Sequence, residues 1–319
     1  WKTTSETQSR VEFGLASDQL VNTATGTCAS LAATYKWHTV RLTGLRPDTR
    51  YFYRTVSGSQ VSKIYRFRTQ PPAGTHTGHY RFAIIGDHQT NVWYEKMVKA
   101  CKEKAIAKFA TSPSDTLIED HLRLLVCAGD QVHTGTLEQY GNMHFGQSRP
   151  LMSNVPIMTV VGNHEYSDDN SLALYHAHYT YDSISYQGIS GKRGDEYYAF
   201  QVADILFVMM NSKLGNNSDQ LAWMEQVVSK ADQDPSVEWV IADNHHCIYS
   251  EQMPGDESAS VRDGYCPRLA KTGKYAMHIT GHSHLYSRGS LRNFPCHWVI
   301  NGGAQGDQYW EQTAYTDYQ

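Results

Sequence analysis

Five short apolar runs, each ending in a side chain able to bind a metal ion, constrain this chain more than any other feature. RFAIIG leads into Asp87, LLVCAG into Asp130, IMTVVG into Asn163, WVIADN into His245, and AMHITG into His282 and His284. Apolar runs of this length, bounded by Gly or Asn, read as strands of a buried sheet. In open α/β sheets ligands gather at the carboxyl ends of the strands, and these six residues sit there. Gly-Asp and Gly-Asn are also ordinary turn dipeptides. The weight therefore rests on the ordered set of five, not on any one tetrad.

The intervening segments fit the same architecture. Residues 95–110 carry apolar side chains at helical spacing with lysines opposite. Residues 219–231 are amphipathic, with Ser218 or Asp219 expected as the N-cap. Strand and helix patterns alternate from residue 79 onward, as in βαβ units. The Tyr-, Ser- and Gly-rich stretch 165–200 reads as loop with short strands.

Residues 1–70 read differently. VEFGLA, YKWHTVRLTGL, TRYFYRTVS and SKIYRFRT alternate and are rich in Val, Thr and aromatics, which predicts β structure. LTGLRPDTRYFYRT resembles an edge of a fibronectin-III-like sandwich, with Tyr51 and Tyr53 packing inward. Such sandwiches run to about 100 residues, so first strands upstream of Trp1 are expected. The expected organisation is an all-β domain at 1–72, a Pro/Gly/Thr linker at 73–78, and a catalytic domain at 79–319.

Composition narrows the function. A formal net charge of −4 with no Lys/Arg run argues against a nucleic-acid-binding surface. No apolar stretch approaches the ~20 residues needed to cross a bilayer. The chain starts at Trp1, so a mature, secreted or periplasmic product is expected, its signal peptide removed. The six cysteines make no CxxC pair, which disfavours a cysteine-based zinc site, while Cys266 and Cys296 flank the strand before His282 and are candidates for a disulfide.

With these blocks in order, the chain resembles the calcineurin-like metallophosphoesterase superfamily, and its N-terminal β region resembles the purple acid phosphatase branch. The resemblance implies an α/β (α+β) four-layer sandwich, two mixed β-sheets flanked by helices, behind the small fibronectin-III-like domain. It also implies two metal ions at the strand ends. By that resemblance Asp87 and His284 serve the first metal, Asn163, His245 and His282 the second, and Asp130 bridges them. Mixed oxygen and nitrogen ligands without thiolate suit zinc, iron or manganese. The implied activity is hydrolysis of phosphate esters by a metal-activated hydroxide, monoesters first and diesters next. The catalytic candidates are His164, Asn163 and Asp130, with His164 as the acid. The substrate is a small-molecule, sugar or nucleotide ester; the oligomeric state is left open.

The sequence also departs from that family. The tyrosine that stands three residues after the bridging aspartate, source of the purple colour with iron(III), is replaced by His133. A neutral imidazole in place of an anionic ligand favours divalent metal and a colourless protein. His133 is accordingly a candidate metal ligand, directly or one shell out. The first block reads GDHQT, which puts His88 and Gln89 beside the metals, and His246 follows His245. His88 and His246 are candidate substrate contacts. The phosphate-contacting histidine pair of the plant enzymes has no counterpart in EQMPGDES (251–258), and Tyr309 and Trp310 in the tail are candidates for a pocket rim. Two other readings compete: a sulfate ester hydrolase on the same scaffold, and a non-catalytic, metal-stabilised binding protein.

Overall fold

A computed structural model describes residues 1–167, 170–181, 184–192, 196–249, 258–291 and 293–305. Tyr309, Trp310 and nearly all of the 251–258 segment lie outside them.

The apolar runs form two facing sheets. The first is parallel, with Leu124–Cys127 between Phe82–Ile85 and Ile157–Thr159. The second has six strands in the order Tyr198–Val202, Ile205–Met209, Trp239–Asp243, Tyr275–Thr280, His297–Asn301, Tyr286–Ser290, with antiparallel pairs at its two edges. Alternate residues of each run serve opposite faces, because side chains of a strand repeat every second residue. Leu124 and Val126 of one sheet meet Ile205, Phe207 and Met209 of the other in the central layer. On the outer face of the first sheet, Leu125 packs with Tyr94 and Val98 of the helix Tyr94–Phe109. On the outer face of the second, Leu206 and Val208 meet Trp223, Met224 and Val227 of the helix Ser218–Gln233. Helix, sheet, sheet and helix make four layers. With both faces covered, the strands need no polar alternation.

Parallel register brings the strand ends into line. Cys127 lies opposite both Ile85 and Thr159, and Asp243 lies opposite Met209 and Ile279. The loops beginning at Gly86, Ala128, Val160, Asn244 and Gly281 therefore leave the sheets on one rim.

The N-terminal residues form two antiparallel sheets. Tyr35–Thr39 pairs with Lys2–Thr3 and Thr27–Ala32, while Arg10–Gly14 pairs with Asn22–Thr25 and Arg50–Ser57. Tyr51 packs inward with Val11 and Phe13, and its hydroxyl accepts from the Arg46 N–H five residues upstream, the corner found in immunoglobulin-like sandwiches. The strands at Asn22–Thr25 and Thr27–Ala32, rich in Thr, Ala and Ser, lack the apolar alternation that announces the others.

Two other expectations change. Asn217, one residue earlier than anticipated, caps the helix at 218: its side-chain oxygen accepts from the Asp219 and Gln220 N–H groups. No disulfide joins Cys266 and Cys296. Both thiols are buried, and the Tyr275 hydroxyl, 3.8 Å from the Cys266 sulfur, is placed to donate to it.

Charged and aromatic contacts seat the N-terminal sheets on the four layers. Buried Glu119 receives Arg50 and Arg66, and Asp120 receives Arg50 and Arg68. Trp37 packs on Phe145 and His178, with ring centroids 4.7 and 4.6 Å away. His76 of the linker lies 3.0 Å from Asp204 and 3.3 Å from Glu238 and fastens the linker to the edge of the second sheet. No described helix is long and apolar enough to cross a membrane.

Candidate metal centre

The rim gathers residues from both sheets. Asp130 follows the middle strand of the first sheet, and its carboxylate is 1 % exposed. Oδ2 stands 3.3 Å from Nε2 of His245, which comes from the second sheet. The same Nε2 lies 3.0 Å from Oδ1 of Asn163 and 3.1 Å from Nδ1 of His282. Ligand atoms of Asp130, His245 and His282 all fall within 4.8 Å of one another. Across from them Asp87 is fully buried, with Nε2 of His284 3.8 Å from its Oδ1.

Close approach at the rim dictates small residues and strained backbone. A Cβ on Gly129 would stand 2.9 Å from Nδ1 of His245, and one on Gly162 would stand 2.1 Å from Oδ1 of Asp130. Asp87, Gln89, Asp130 and His282 all have positive φ, between 42° and 67°. The left-handed conformation costs an L residue roughly 1–2 kcal/mol, and such outliers gather at functional sites.

Hydrogen bonds fix which atoms face the centre. His245 donates from Nδ1 to the Ala128 carbonyl at 2.8 Å, which turns Nε2 to the centre as the nitrogen that could ligate. The Asp87 Oδ1 accepts from the His282 N–H at 2.9 Å, while its Oδ2 is buried without a hydrogen-bond partner. Asp130 Oδ1 accepts from the His164 N–H at 2.9 Å. Glu165 clamps the loops from beneath, its carboxylate accepting from the N–H groups of Gly162, Asp130 and Gln131 at 2.6 to 3.0 Å.

Electrostatics state the same demand for a cation. Burial alone would lower His245, but the Asp130 and Asp87 carboxylates hold it up at about 10. Burial would raise Asp130, yet His245 and His164 keep it well below the carboxylate range. Asp87 is pushed well up by burial and by the neighbouring Asp130 and Glu165 charges. An orphaned carboxylate oxygen, two imidazole nitrogens 3.1 Å apart and an amide oxygen make a donor set that suits a borderline divalent cation.

Other candidates fall outside this cluster. His133 is exposed at the mouth, its ring tilted against that of His164 with centroids 4.8 Å apart. The two candidate substrate contacts, His88 and His246, are both buried. His88 is buried with its ring 3.8 Å from that of Tyr94 and Nε2 2.8 Å from His144; burial holds it neutral, at about 3. His246 is buried behind the site, its ring 4.5 Å from that of His282 and Nδ1 2.8 Å from Ser212. Gln89 is the polar neighbour that does reach the site, 3.3 Å from Asp130.

Comparison with known proteins follows the same division. The calcineurin-like phosphoesterase family matches residues 80–286, and the N-terminal domain of purple acid phosphatases matches residues 1–69. Purple acid phosphatase 15 of Arabidopsis thaliana is 25 % identical over 286 residues, covering 79 % of this chain and 49 % of its own length. Purple acid phosphatase 13 of the same plant is 29 % identical over 228 residues, covering 64 % of this chain and 41 % of its own length. The chain spans about half the length of the curated relatives it matches. Among solved structures, a purple acid phosphatase from yellow lupin (Lupinus luteus) covers 94 % of this chain and is itself covered to 60 %, with a TM-score of 0.66 at 16 % identity. PhoD covers 93 % and is covered to 70 %, with a TM-score of 0.65 at 14 % identity. These two likenesses establish the fold.

Proposed function

The chain belongs to the calcineurin-like phosphoesterases, with the N-terminal domain of purple acid phosphatases ahead of the phosphoesterase domain, and from that premise we propose that it hydrolyses phosphate esters at a pair of metal ions. Residues 1–72 are the N-terminal domain in this reading, 73–78 the linker and 79–319 the catalytic domain. The observation that carries it is the convergence of Asp130, His245, His282 and Asn163 on one point beside the orphaned oxygen of Asp87. Asn163, His245 and His282 would hold one ion, Asp87 and His284 the other, and Asp130 would serve both. Bound there, divalent ions supply Lewis acidity and a water of lowered pKa.

The chain's own groups orient the ester and move the proton. His164 donates from Nδ1 to the His133 carbonyl at 2.7 Å, so its Nε2 is the nitrogen turned toward Asp130, 3.9 Å away. Its side chain is 25 % exposed, open to an incoming ester. His164 takes up a proton at Nε2 and gives it to the leaving oxygen as the alcohol departs. Asn163 presents its amide oxygen to the centre. Glu165 keeps the two loops bearing Asp130 and His164 in register. His133 stands at the mouth, where it offers an imidazole in place of a phenolate, and a colourless protein is expected.

The test is hydrolysis of an aryl phosphate monoester with and without chelator, together with elemental analysis and a visible absorption scan. Chelation and Asp130→Ala are each expected to abolish turnover. Activity that survives both sinks the reading. Aryl phosphodiester and aryl sulfate assayed alongside rank the ester classes.

A further inference from the structure

In the loop after the strand Phe82–Ile85, Asp87 is followed directly by His88 and Gln89, and the backbone sends their side chains to different places. His88 enters the core. Gln89, 2 % exposed, turns to the site from a backbone at φ 42°, where glycine would sit without strain. A strained non-glycine residue beside a reactive centre persists only where the surrounding structure holds it, and its side chain is the first place to seek the reason.

The carboxamide of Gln89 has two neighbours in the site. Nε2 is 3.3 Å from Oδ2 of Asp130, and Oε1 is 3.5 Å from Nδ1 of His133. An ionised carboxylate only accepts, so the amide must turn its NH2 to Asp130 and its carbonyl to His133. That carbonyl also only accepts, which places the His133 proton on Nδ1 and leaves Nε2 bare. His133 in turn seats His164, since its carbonyl takes the His164 Nδ1 proton and the two rings lie against each other.

We propose that Gln89 is a positioning residue that ties Asp130 to the two histidines at the mouth, fixing the tautomer of His133 and the seat of His164. Its effect on turnover rests on the phosphoester hydrolase reading; the tautomer it dictates does not.

Two variants test this. Gln89→Gly removes the carboxamide and suits the left-handed backbone, so it is expected to fold with an unchanged or higher Tm. Gln89→Met keeps the bulk and loses both hydrogen bonds. In metal-free protein, heteronuclear NMR of the histidine rings is expected to show His133 protonated on Nδ1 in the parent and shifted toward the Nε2–H form in both variants. With metal restored, kcat for an aryl phosphate should fall about tenfold or more in both, with KM changed far less. An unchanged His133 tautomer in Gln89→Gly overturns the proposal, as does a kcat within about twofold of the parent's. Should the parent hydrolyse no phosphate ester, the functional reading falls, and the ring spectra alone decide the role of Gln89.

Discussion

At the scale of single residues, the site is ordered by where each imidazole keeps its proton. His245 commits Nδ1 to the Ala128 carbonyl and His164 commits Nδ1 to the His133 carbonyl, so both present Nε2 to the centre. Of the two only His164 is open to solvent there, which suits it to the proton-carrying role proposed for it. His164→Ala is expected to lower kcat about a hundredfold with a smaller change in KM, read from steady-state kinetics on an aryl phosphate. Metal content unchanged by that substitution would distinguish lost proton transfer from lost metal. The six strand-end ligand candidates were legible in the sequence because each closes an apolar run. The direction of their neighbours was not. His88, Gln89 and His246 lie three or four residues past a strand and differ in the sign of φ, which residue type reports only at glycine.

At the scale of elements, most of the catalytic layers could be read from pattern, because strands buried on both faces and amphipathic helices have unlike periods. The helix predicted at 95–110 runs Tyr94–Phe109, and that predicted at 219–231 runs Ser218–Gln233. Its cap was misplaced by one or two residues because Asn217, Ser218 and Asp219 are all competent caps and only geometry selects among them. Asn217→Ala leaves two N–H groups of the first turn without their acceptor. It should cost about 1 kcal/mol, seen as a lower denaturation midpoint with an unchanged slope. In the N-terminal sheets, Asn22–Thr25 and Thr27–Ala32 escaped notice because their stability comes from neighbours, not from an apolar face of their own.

At the scale of the whole molecule, His178 joins the two halves. Its Nδ1 donates to the Leu174 carbonyl and its Nε2 accepts from the Tyr35 hydroxyl of the N-terminal sheets, a neutral ring wedged against Trp37 and Phe145. Burial holds its pKa down at about 4, below the ordinary value of 6.5. The unfolded chain therefore takes up a proton between those values that the folded protein refuses. Its contribution is complete above about pH 6.5 and shrinks as pH falls toward about 4, by at most about 1.4 kcal/mol per unit. Thermal unfolding followed from about pH 7 to about pH 5 should show a falling Tm, and His178→Gln should flatten that slope. Buried His88 and His278, held down to about 3, act in the same sense. Comparing parent with variant isolates His178.

The rim draws Asp87, Asp130 and Asn163 from one sheet and His245, His282 and His284 from the other. Those two sheets meet across an apolar layer that includes Val126, Phe207, Met209 and Ile279, with the Tyr198 hydroxyl on Thr159 and the Asn301 amide on the Ile84 carbonyl as polar links. The grip of the centre is thus a gauge of how the two slabs are aligned. A cavity cut into that seam is expected to loosen metal binding at the rim as well as to lower the global Tm.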